Sequence, residues 1–251
     1  MSRSDGRALD QHRPVELAIG FHKSSDGSVL YRAGQTVVLC TVSIDASVPA
    51  WMSGRGKGWL TAEYQMHPRT SPNRRDQRDG RGKALSGRAQ EIQRLVGRAL
   101  RAAVDMTALG ERTLTIDCDV LEADGGTRTA AVTGGFVALA VALARKMPGV
   151  RLLRDQVAAT SVGHLREGLA LDLVYVEDSA ARVDMNVVGT ATGAVIEVQA
   201  TAEGDAVARV EVDAMIDLAL AGVESLCEVQ RQGLAAAGVD LAALMQPGRQ
   251  A

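Results

Sequence analysis

Residues 117–129 read DCDVLEADGGTRT, and this stretch joins an acidic strand to two glycines and the start of a helix. Before it, from Thr113 to Val120, polar and apolar residues alternate with the two-residue period of a half-buried strand. From Thr127 onward the period becomes helical. The first turn of a helix carries unpaired N–H groups and the positive end of the dipole, so it can hold an anion. Two interpretations are open at this point, a phosphate site and a plain helix cap.

Side chains beside the turn suit an anion. Arg128 offers a planar pair of charged donors, and Thr127 offers a hydroxyl group. Gly125 and Gly126 allow a sharp turn and a close approach of the backbone, which residues with a Cβ atom resist.

The composition is that of a soluble globular protein, with 46% hydrophobic and 23% charged residues among 251. The start, MSRSDGR, is charged, and no apolar run approaches the roughly 20 residues that a membrane span needs. We therefore expect a cytoplasmic protein. The three widely spaced cysteines, Cys40, Cys118 and Cys227, predict buried free thiols, and the four histidines show no metal-ligand spacing.

Positive charge is concentrated between Trp51 and Arg101, where 12 Lys or Arg stand against 4 Asp or Glu, a net of +8. Because the whole chain carries −2, the remainder carries −10. A solvated loop and a polyanion contact are both open interpretations, and the one-sided charge favours the polyanion. Only 3% of the residues are aromatic. This favours a partner that is bound through its phosphates over one whose bases stack on aromatic side chains.

The first half predicts strands at Val15–Phe21, Ser28–Arg32, Val37–Ile44 and Trp59–Met66, and a helix from about Gly87. We expect a small antiparallel sheet. The segment SGRGKG (53–58) is too rich in glycine to pack, and residues 68–83 form a basic loop without any apolar period.

The second half repeats strands followed by a helix, after a boundary at 147–156 that holds a proline, a glycine and several charges. Strands are predicted at Val157–Leu165, Ala170–Tyr175, Arg182–Gly189 and Val195–Ala200, and a helix over about 209–237. The predicted organisation is an N-terminal segment 1–12, a first subdomain 13–146, a linker 147–156, a second subdomain 157–240 and a fraying tail 241–251.

Three charged residues outside residues 117–129, Arg88, Asp178 and Asp184, are candidates for binding a ligand or an ion. Arg88 lies in the first turn of a predicted helix, where a cation opposes the helix dipole, so another group must stabilise it there. Asp178 and Asp184 lie in one short segment and could share a divalent cation or divide acid and base roles. The alternative is a solvated turn at Asp178 and a hydrogen bond at the start of a strand at Asp184.

Several long runs together resemble the ribonuclease PH family: GKGWLTAEYQMHPR (56–69), SGRAQEIQRLVGRALRAAVD (86–105), LGERTLTIDCDVLEADGGTRTA (109–130) and YVEDSAARVDMNVV (175–188). The resemblance covers nearly the whole chain. It implies an α+β fold, the RNase PH fold of two αβ subdomains, with a first subdomain like that of a ribosomal protein. It also implies a phosphate-dependent 3′ to 5′ exoribonuclease that trims tRNA precursors beyond the 3′-CCA end, releases nucleoside diphosphates, and adds nucleotides in reverse.

The resemblance further implies roles for particular residues. Inorganic phosphate, the co-substrate, would be bound by Arg88, Gly126, Thr127 and Arg128. Asp178 and Asp184 would be catalytic and would hold Mg²⁺. The tRNA-contacting arginines would be Arg69, Arg74, Arg75, Arg78 and Arg81. The implied partners are RNA rather than DNA, and further copies of the chain in a hexameric ring, a trimer of dimers. A catalytically silent RNA-binding ring subunit and a small-molecule phosphotransferase are the alternative hypotheses.

Overall fold

The first half of the chain forms a five-stranded sheet in this computed structural model, which describes residues 3, 5–70, 75 and 85–247. The strands follow the order β1-β2-β3-β5-β4 and are β1 (Val15–Ile19), β2 (Gly27–Ala33), β3 (Thr36–Asp45), β4 (Trp59–Met66) and β5 (Thr113–Glu122). The predicted antiparallel arrangement holds except at β4, which runs parallel to β5. A parallel neighbour is feasible there because a long connection that contains helices separates the two strands.

Three helices belong to this half, namely α1 (Gly87–Ala103), α2 (Met106–Leu109) and α3 (Thr127–Lys146). Helix α3 packs on β2 and β3, and its small residues allow close contact: a Cβ atom on Gly134 would lie 3.0 Å from Cys40 Sγ. By length and composition α3 could cross a membrane, but 89% of its apolar window is buried inside the protein. A core helix of this kind explains why it is apolar on every side.

The second half forms a four-stranded antiparallel sheet in the order β7-β6-β8-β9. Its elements are β6 (Val157–Leu165), β7 (Gly168–Leu171), α4 (Tyr175–Asp178), β8 (Val183–Thr190), β9 (Val195–Ala202), α5 (Arg209–Ala236) and α6 (Leu241–Leu244). The strand predicted at Ala170–Tyr175 was wrong in its second part, because β7 ends at Leu171 and the next residue, Asp172, has a φ of 54°. A left-handed residue interrupts an extended strand.

The largest hydrophobic cluster spans both halves, because residues of β6, β8 and α5 pack in it with α3. Thr133 of α3 donates its hydroxyl to Ala159 O of β6 at 3.2 Å and accepts from Ala159 N at 3.0 Å. The buried side chain of Gln230 on α5 donates to Thr133 O and to Val157 O, at 3.1 and 3.0 Å. Helix α3 therefore lies between the two sheets, and its N-terminus lies where both halves meet.

Residues predicted as a linker and as a fraying tail are packed. Leu152 and Leu153 are fully buried, and Leu153 bridges to Val104 and to Met245. Fraying from residue 241 was therefore wrong for the first part of the tail, because α6 follows Asp240 and Leu244 and Met245 are buried. Apolar side chains that fill the end of the core keep this segment ordered. Residues 248–251 lie outside the described residues.

Candidate active site

The glycine turn before α3 leaves the start of that helix without a side-chain cap. Gly125 and Gly126 have φ values of 74° and 67°, and Gly126 occupies the N-cap position with no side-chain hydrogen bond to the first turn. A Cβ atom on Gly125 would lie 2.4 Å from Leu173 O, so only glycine fits. The first turn carries no acidic residue. An N-terminus with these properties favours a bound anion over a plain cap.

Thr127 presents a donor toward the same position. Its side-chain oxygen accepts a hydrogen bond from Tyr64 OH at 2.8 Å, and both residues are buried. Burial raises the pKa of Tyr64, so the phenol keeps its proton and remains the donor. Because Thr127 Oγ1 accepts from Tyr64, its own proton is available to an anion. Tyr64 was not identified as a site residue from the sequence, because an inward-facing tyrosine in a strand is ordinarily a core residue.

The guanidinium of Arg128 is held from two sides. Its Nη1 donates to Gln199 Oε1 on β9 at 3.0 Å and lies 3.6 Å from Glu91 Oε1 on α1. Gln199 in turn donates to Glu197 Oε1 at 3.1 Å, and Arg98 of α1 pairs with Glu197 at 2.6 Å. A chain of polar contacts therefore runs from α1 through β9 to Arg128.

Asp184 interacts electrostatically with Asp178, Arg128 and Arg88. Asp178 ends α4 and is exposed, whereas Asp184 lies half-buried in β8 between Gly163 of β6 and Thr201 of β9. Burial, and then the negative charge of Asp178, raise the pKa of Asp184 to about 6. The charges of Arg128 and Arg88 act in the opposite direction. Both arginines and both carboxylates thus share one electrostatic environment.

Arg88 occupies the first turn of α1 and is exposed. Its positive charge acts on Tyr64 as well as on Asp184, which places it on the same side as the start of α3. Ser86 caps α1 by accepting from Ala89 N at 3.2 Å, so the backbone of this turn is fixed. The charge of Arg88, which opposes the helix dipole, interacts favourably with the charge of Asp184.

The carboxylate pair fits one hard divalent cation better than a preformed cage. Among residues 3, 5–70, 75 and 85–247 there is no cluster of three or more His, Cys, Asp or Glu side chains that could hold a metal. Mg²⁺ commonly binds through one or two carboxylates together with substrate phosphates and water. Burial and the negative charge of Asp178 raise the pKa of Asp184, and such a cation would offset the repulsion between the two carboxylates.

A buried ion pair that sequence reasoning missed supports the glycine turn. Arg13 donates through Nε to Asp172 Oδ2 at 2.9 Å and through Nη1 to Asp124 O at 2.6 Å. Thr36 fixes the other side of the turn, because its hydroxyl donates to Gly125 O at 2.7 Å and accepts from Asp124 N at 2.9 Å. Each contact spans more than 80 residues of sequence, so no local pattern could have indicated it.

The N-terminal segment supports the carboxylate side. Arg3 is buried and donates through Nε to Glu177 Oε1 at 2.8 Å, one residue before Asp178 in α4. The Nη2 atom of Arg7, also buried, donates to Asp172 O at 3.1 Å. Arg3 and Arg7 of the segment predicted as 1–12 therefore help to support the site. It was not identified because arginine is ordinarily an exposed residue.

The structure covers only part of the predicted tRNA-binding loop. Arg69 and Arg75 are exposed, and Arg69 N donates to His67 Nδ1 at 3.2 Å. Arg74, Arg78 and Arg81 lie outside the described residues. The predicted role of these five arginines therefore stays a prediction.

The chain is similar to known proteins over most of its length. Profiles of the 3′ exoribonuclease family match residues 11–144 with its domain 1 and residues 155–222 with its domain 2. Curated proteins called ribonuclease PH are 50% identical in Mycobacterium sp. (strain KMS), covering 92% of this chain and 91% of the relative, and 49% identical in Rhodopirellula baltica, covering 91% and 96%.

Solved structures share the fold at low identity. The crystal structure of Rrp46 from rice (Oryza sativa) has a TM-score of 0.76 and 18% identity, covering 92% of this chain and all of that one. The Archaeoglobus fulgidus exosome with RNA bound to its active site gives 0.77 and 20%, covering 90% and 92%. These similarities establish the arrangement of helices and strands, and the two family profiles extend across both halves of the chain.

Proposed function

This chain belongs to the 3′ exoribonuclease family, as a ribonuclease PH, and we propose how its residues carry out the trimming of RNA 3′ ends. The protein is a phosphorolytic 3′ to 5′ exoribonuclease and nucleotidyltransferase that acts on tRNA 3′ ends. The observation that supports the assignment of the site is the convergence of Arg88, Arg128, Asp178 and Asp184 on one environment at the uncapped start of α3.

Inorganic phosphate binds at the start of α3. Arg88 and Arg128 hold its oxygens, and Thr127 and the backbone of Gly126 donate further hydrogen bonds. One phosphate oxygen attacks the phosphorus of the terminal phosphodiester, and the bond to the 3′ oxygen of the penultimate nucleotide breaks. The terminal nucleotide leaves as a nucleoside diphosphate, and the shortened RNA regains a 3′ hydroxyl. The reaction therefore needs no serine, cysteine or histidine nucleophile.

The carboxylates act on the leaving side. Asp178 and Asp184 would hold Mg²⁺, which when bound supplies positive charge to the phosphate oxygens. Alternatively one of the two protonates the departing 3′ oxygen. The pKa of Asp184, raised to about 6 by its burial and by Asp178, suits a group that carries a proton near neutral pH.

We also propose roles for the arginine loop, the assembly and the subdomains. Arg69, Arg74, Arg75, Arg78 and Arg81 contact the body of tRNA and select it through its phosphates. The chain assembles into a hexameric ring, a trimer of dimers, and works in the cytoplasm on tRNA precursors. Its three described cysteines are all buried free thiols, which suits a reducing compartment. We propose that residues 13–146 form the first subdomain and residues 157–240 the second.

Product analysis tests this function. A tRNA with a short 3′ extension, incubated with the enzyme, phosphate and Mg²⁺, should release nucleoside diphosphates and stop near the CCA end. No release is expected without phosphate, and nucleoside diphosphate added in excess should lengthen the RNA. Nucleoside monophosphates released in phosphate-free buffer would identify a hydrolase and contradict the proposal.

A further inference from the structure

The only two tryptophans in the chain lie together, at the end of the first sheet remote from the glycine turn. Trp51 lies in a 3₁₀ turn (Ala50–Met52) and Trp59 begins β4; their ring centroids are 4.9 Å apart with an interplanar angle of 80°. The guanidinium carbon of Arg101 lies 4.9 Å from the centroid of the Trp59 ring. Trp51 is nevertheless 56% exposed. An indole is thus held in place with much of its surface open to solvent.

Exposed cations lie on the segments that carry or adjoin the two tryptophans. Arg55 and Lys57, in the glycine-rich segment between the two tryptophans, are exposed, and so is Arg112 at the start of β5. Glu111, the neighbouring acid, accepts from Gly56 N at 3.0 Å and so holds the loop. We call the set Trp51, Arg55, Lys57, Trp59, Arg101 and Arg112 the tryptophan patch. It combines one open aromatic surface with an excess of positive charge.

Helix α1 connects the patch to the active site. Arg88 is in its first turn and Arg101 in its last, a separation of about 20 Å at 1.5 Å per residue. Arg94 and Arg98 lie on the same face as Arg101, at i, i+4 and i+7. Arg98 also pairs with Glu197, but its side chain remains 41% exposed. Arg94, Arg98 and Arg101 therefore form a row of cations along one face of α1 that ends at the tryptophan patch, whereas Arg88 lies on a different face of the same helix.

We propose that the tryptophan patch is a second binding site for single-stranded RNA, which receives nucleotides upstream of the 3′ end held in the active site. A base stacks on Trp51, and Arg55, Lys57 and Arg112 bind the adjoining phosphates. This combination of an aromatic surface and a basic groove is what sequence-independent single-strand sites use. The inference rests on the proposed function, because it presupposes an RNA whose 3′ end is bound at Arg88 and Arg128.

The surroundings of Trp51 favour RNA over a protein partner. A protein-binding surface needs a contiguous apolar area, whereas Trp51 is flanked by exposed glycines, arginine and lysine, and the neighbouring Met52 is buried. Gly54 and Gly56 have φ values of 76° and 65°, and a Cβ atom on either would meet nothing within 4 Å. The loop thus leaves open space beside the indole.

Intrinsic fluorescence tests the site directly, because both tryptophans of the chain belong to the patch. In phosphate-free buffer, where the RNA stays intact, a 20-nucleotide oligoadenylate should quench the tryptophan emission of the full-length protein on binding. Trp51→Ala should weaken the affinity for this RNA by about fivefold to a hundredfold, the range found for loss of one base stack. Trp51→Phe should restore most of it, and Arg55→Gln with Lys57→Gln should weaken binding and reduce its dependence on salt.

Two controls separate the outcomes. Phe21→Ala removes an aromatic residue that is 54% exposed elsewhere and should leave RNA affinity unchanged. Phosphorolysis of a trinucleotide, which is too short to reach the patch, should also be unchanged in Trp51→Ala. Unaltered 20-mer affinity in Trp51→Ala overturns the inference, as does a changed molar mass with unaltered affinity, which would mark a contact between subunits. Failure of the wild-type protein to release nucleoside diphosphates from a 3′-extended tRNA in the presence of phosphate would instead overturn the proposed function.

Discussion

Gln199 on β9 accepts a hydrogen bond from Arg128 Nη1 at 3.0 Å, and so the second sheet orients an arginine of the first half for which we propose phosphate binding. Gln199 is itself fixed, because its amide donates to Glu197 Oε1 at 3.1 Å. Gln199 thus positions the Arg128 side chain, and we propose that it acts on phosphate through this arginine.

Substitution of Gln199 should change the use of phosphate more than the use of RNA. Gln199→Met removes the acceptor at nearly constant volume, and the loss of a hydrogen bond to a charged group, about 1.5 kcal/mol, predicts a KM for phosphate raised roughly tenfold. Gln199→Glu should raise it further, because a carboxylate beside Arg128 competes with the anion. Steady-state kinetics with a short oligonucleotide, varying phosphate and RNA separately, measures both effects.

The matched control for Gln199 is Gln232→Met. Gln232 lies on α5, where its amide donates to Glu228 Oε1 at 2.8 Å, far from any arginine of the site. Its substitution should leave both KM values unchanged. If Gln199→Met alters the KM for RNA and that for phosphate equally, the residue does not act through Arg128.

Asp184→Asn should abolish activity and stabilise the metal-free protein. Burial and the charge of Asp178 raise the pKa of Asp184 to about 6, so its ionised form costs folding free energy. A shift of this size corresponds to roughly 1–3 kcal/mol at neutral pH. Removal of the charge therefore predicts an unfolding temperature several degrees higher at pH 7.5, measured calorimetrically in the presence of a chelator.

The stability gained in Asp184→Asn should depend on pH. The folded protein binds the Asp184 proton more tightly than the unfolded chain, so wild-type stability falls as pH rises from about 4 to about 6. Asp184→Asn should therefore match the wild type below about pH 4 and exceed it above about pH 6. A constant difference across this range would show that Asp178 and burial do not act on this group.

Local patterns in the sequence predicted most elements because those elements are governed by local periodicity. The glycine turn and the bounds of α3 follow from the change of period at Thr127, and β4 follows from its alternation. The misjudged strand beyond Leu171 ends because Asp172 adopts a left-handed conformation, which Arg13 stabilises from 159 residues away. The strand propensity of the local sequence contains no information about such a long-range contact.

Some residues of the site could be identified from the sequence, and others could not. The residues implied by resemblance, such as Arg128 and Asp184, do share one environment. Gln199 and Tyr64 could not be singled out, since a glutamine or tyrosine in a strand is an ordinary half-buried or core residue. Their significance depends on what the folded chain places opposite them.

Asp172→Asn should destabilise the protein and loosen the phosphate site together. Burial acts to raise the pKa of Asp172, but hydrogen bonds from Arg13 and His12 and their charge hold it well below its usual range. Without this carboxylate the buried guanidinium of Arg13 loses its counter-ion, a cost of about 3–5 kcal/mol. We expect an unfolding temperature lower by about 10 °C and a higher KM for phosphate, because Arg13 also holds Asp124 O before the glycine turn.

The stability deficit of Asp172→Asn should depend on pH. A carboxylate whose pKa is lowered by folding contributes stability above its unfolded value, so the deficit of Asp172→Asn should be complete at pH 7 and shrink below about pH 4. Asp213→Asn breaks an exposed pair with Arg209 at 3.5 Å and should leave the unfolding temperature unchanged. A deficit that persists unchanged at pH 3 would contradict the role of the buried pair.

Arg74→Ala combined with Arg75→Ala should affect tRNA rather than chemistry. Each arginine that contacts a phosphate releases about one counter-ion, so the double substitution should weaken tRNA binding and lower the slope of log affinity against log salt by about 2. Phosphorolysis of a trinucleotide should stay near the wild-type rate, because the phosphate site at Arg88 and Arg128 is intact. Filter binding at several salt concentrations and single-turnover kinetics measure the two effects. If the trinucleotide reaction slows as much as the tRNA reaction, these arginines belong to the active site itself.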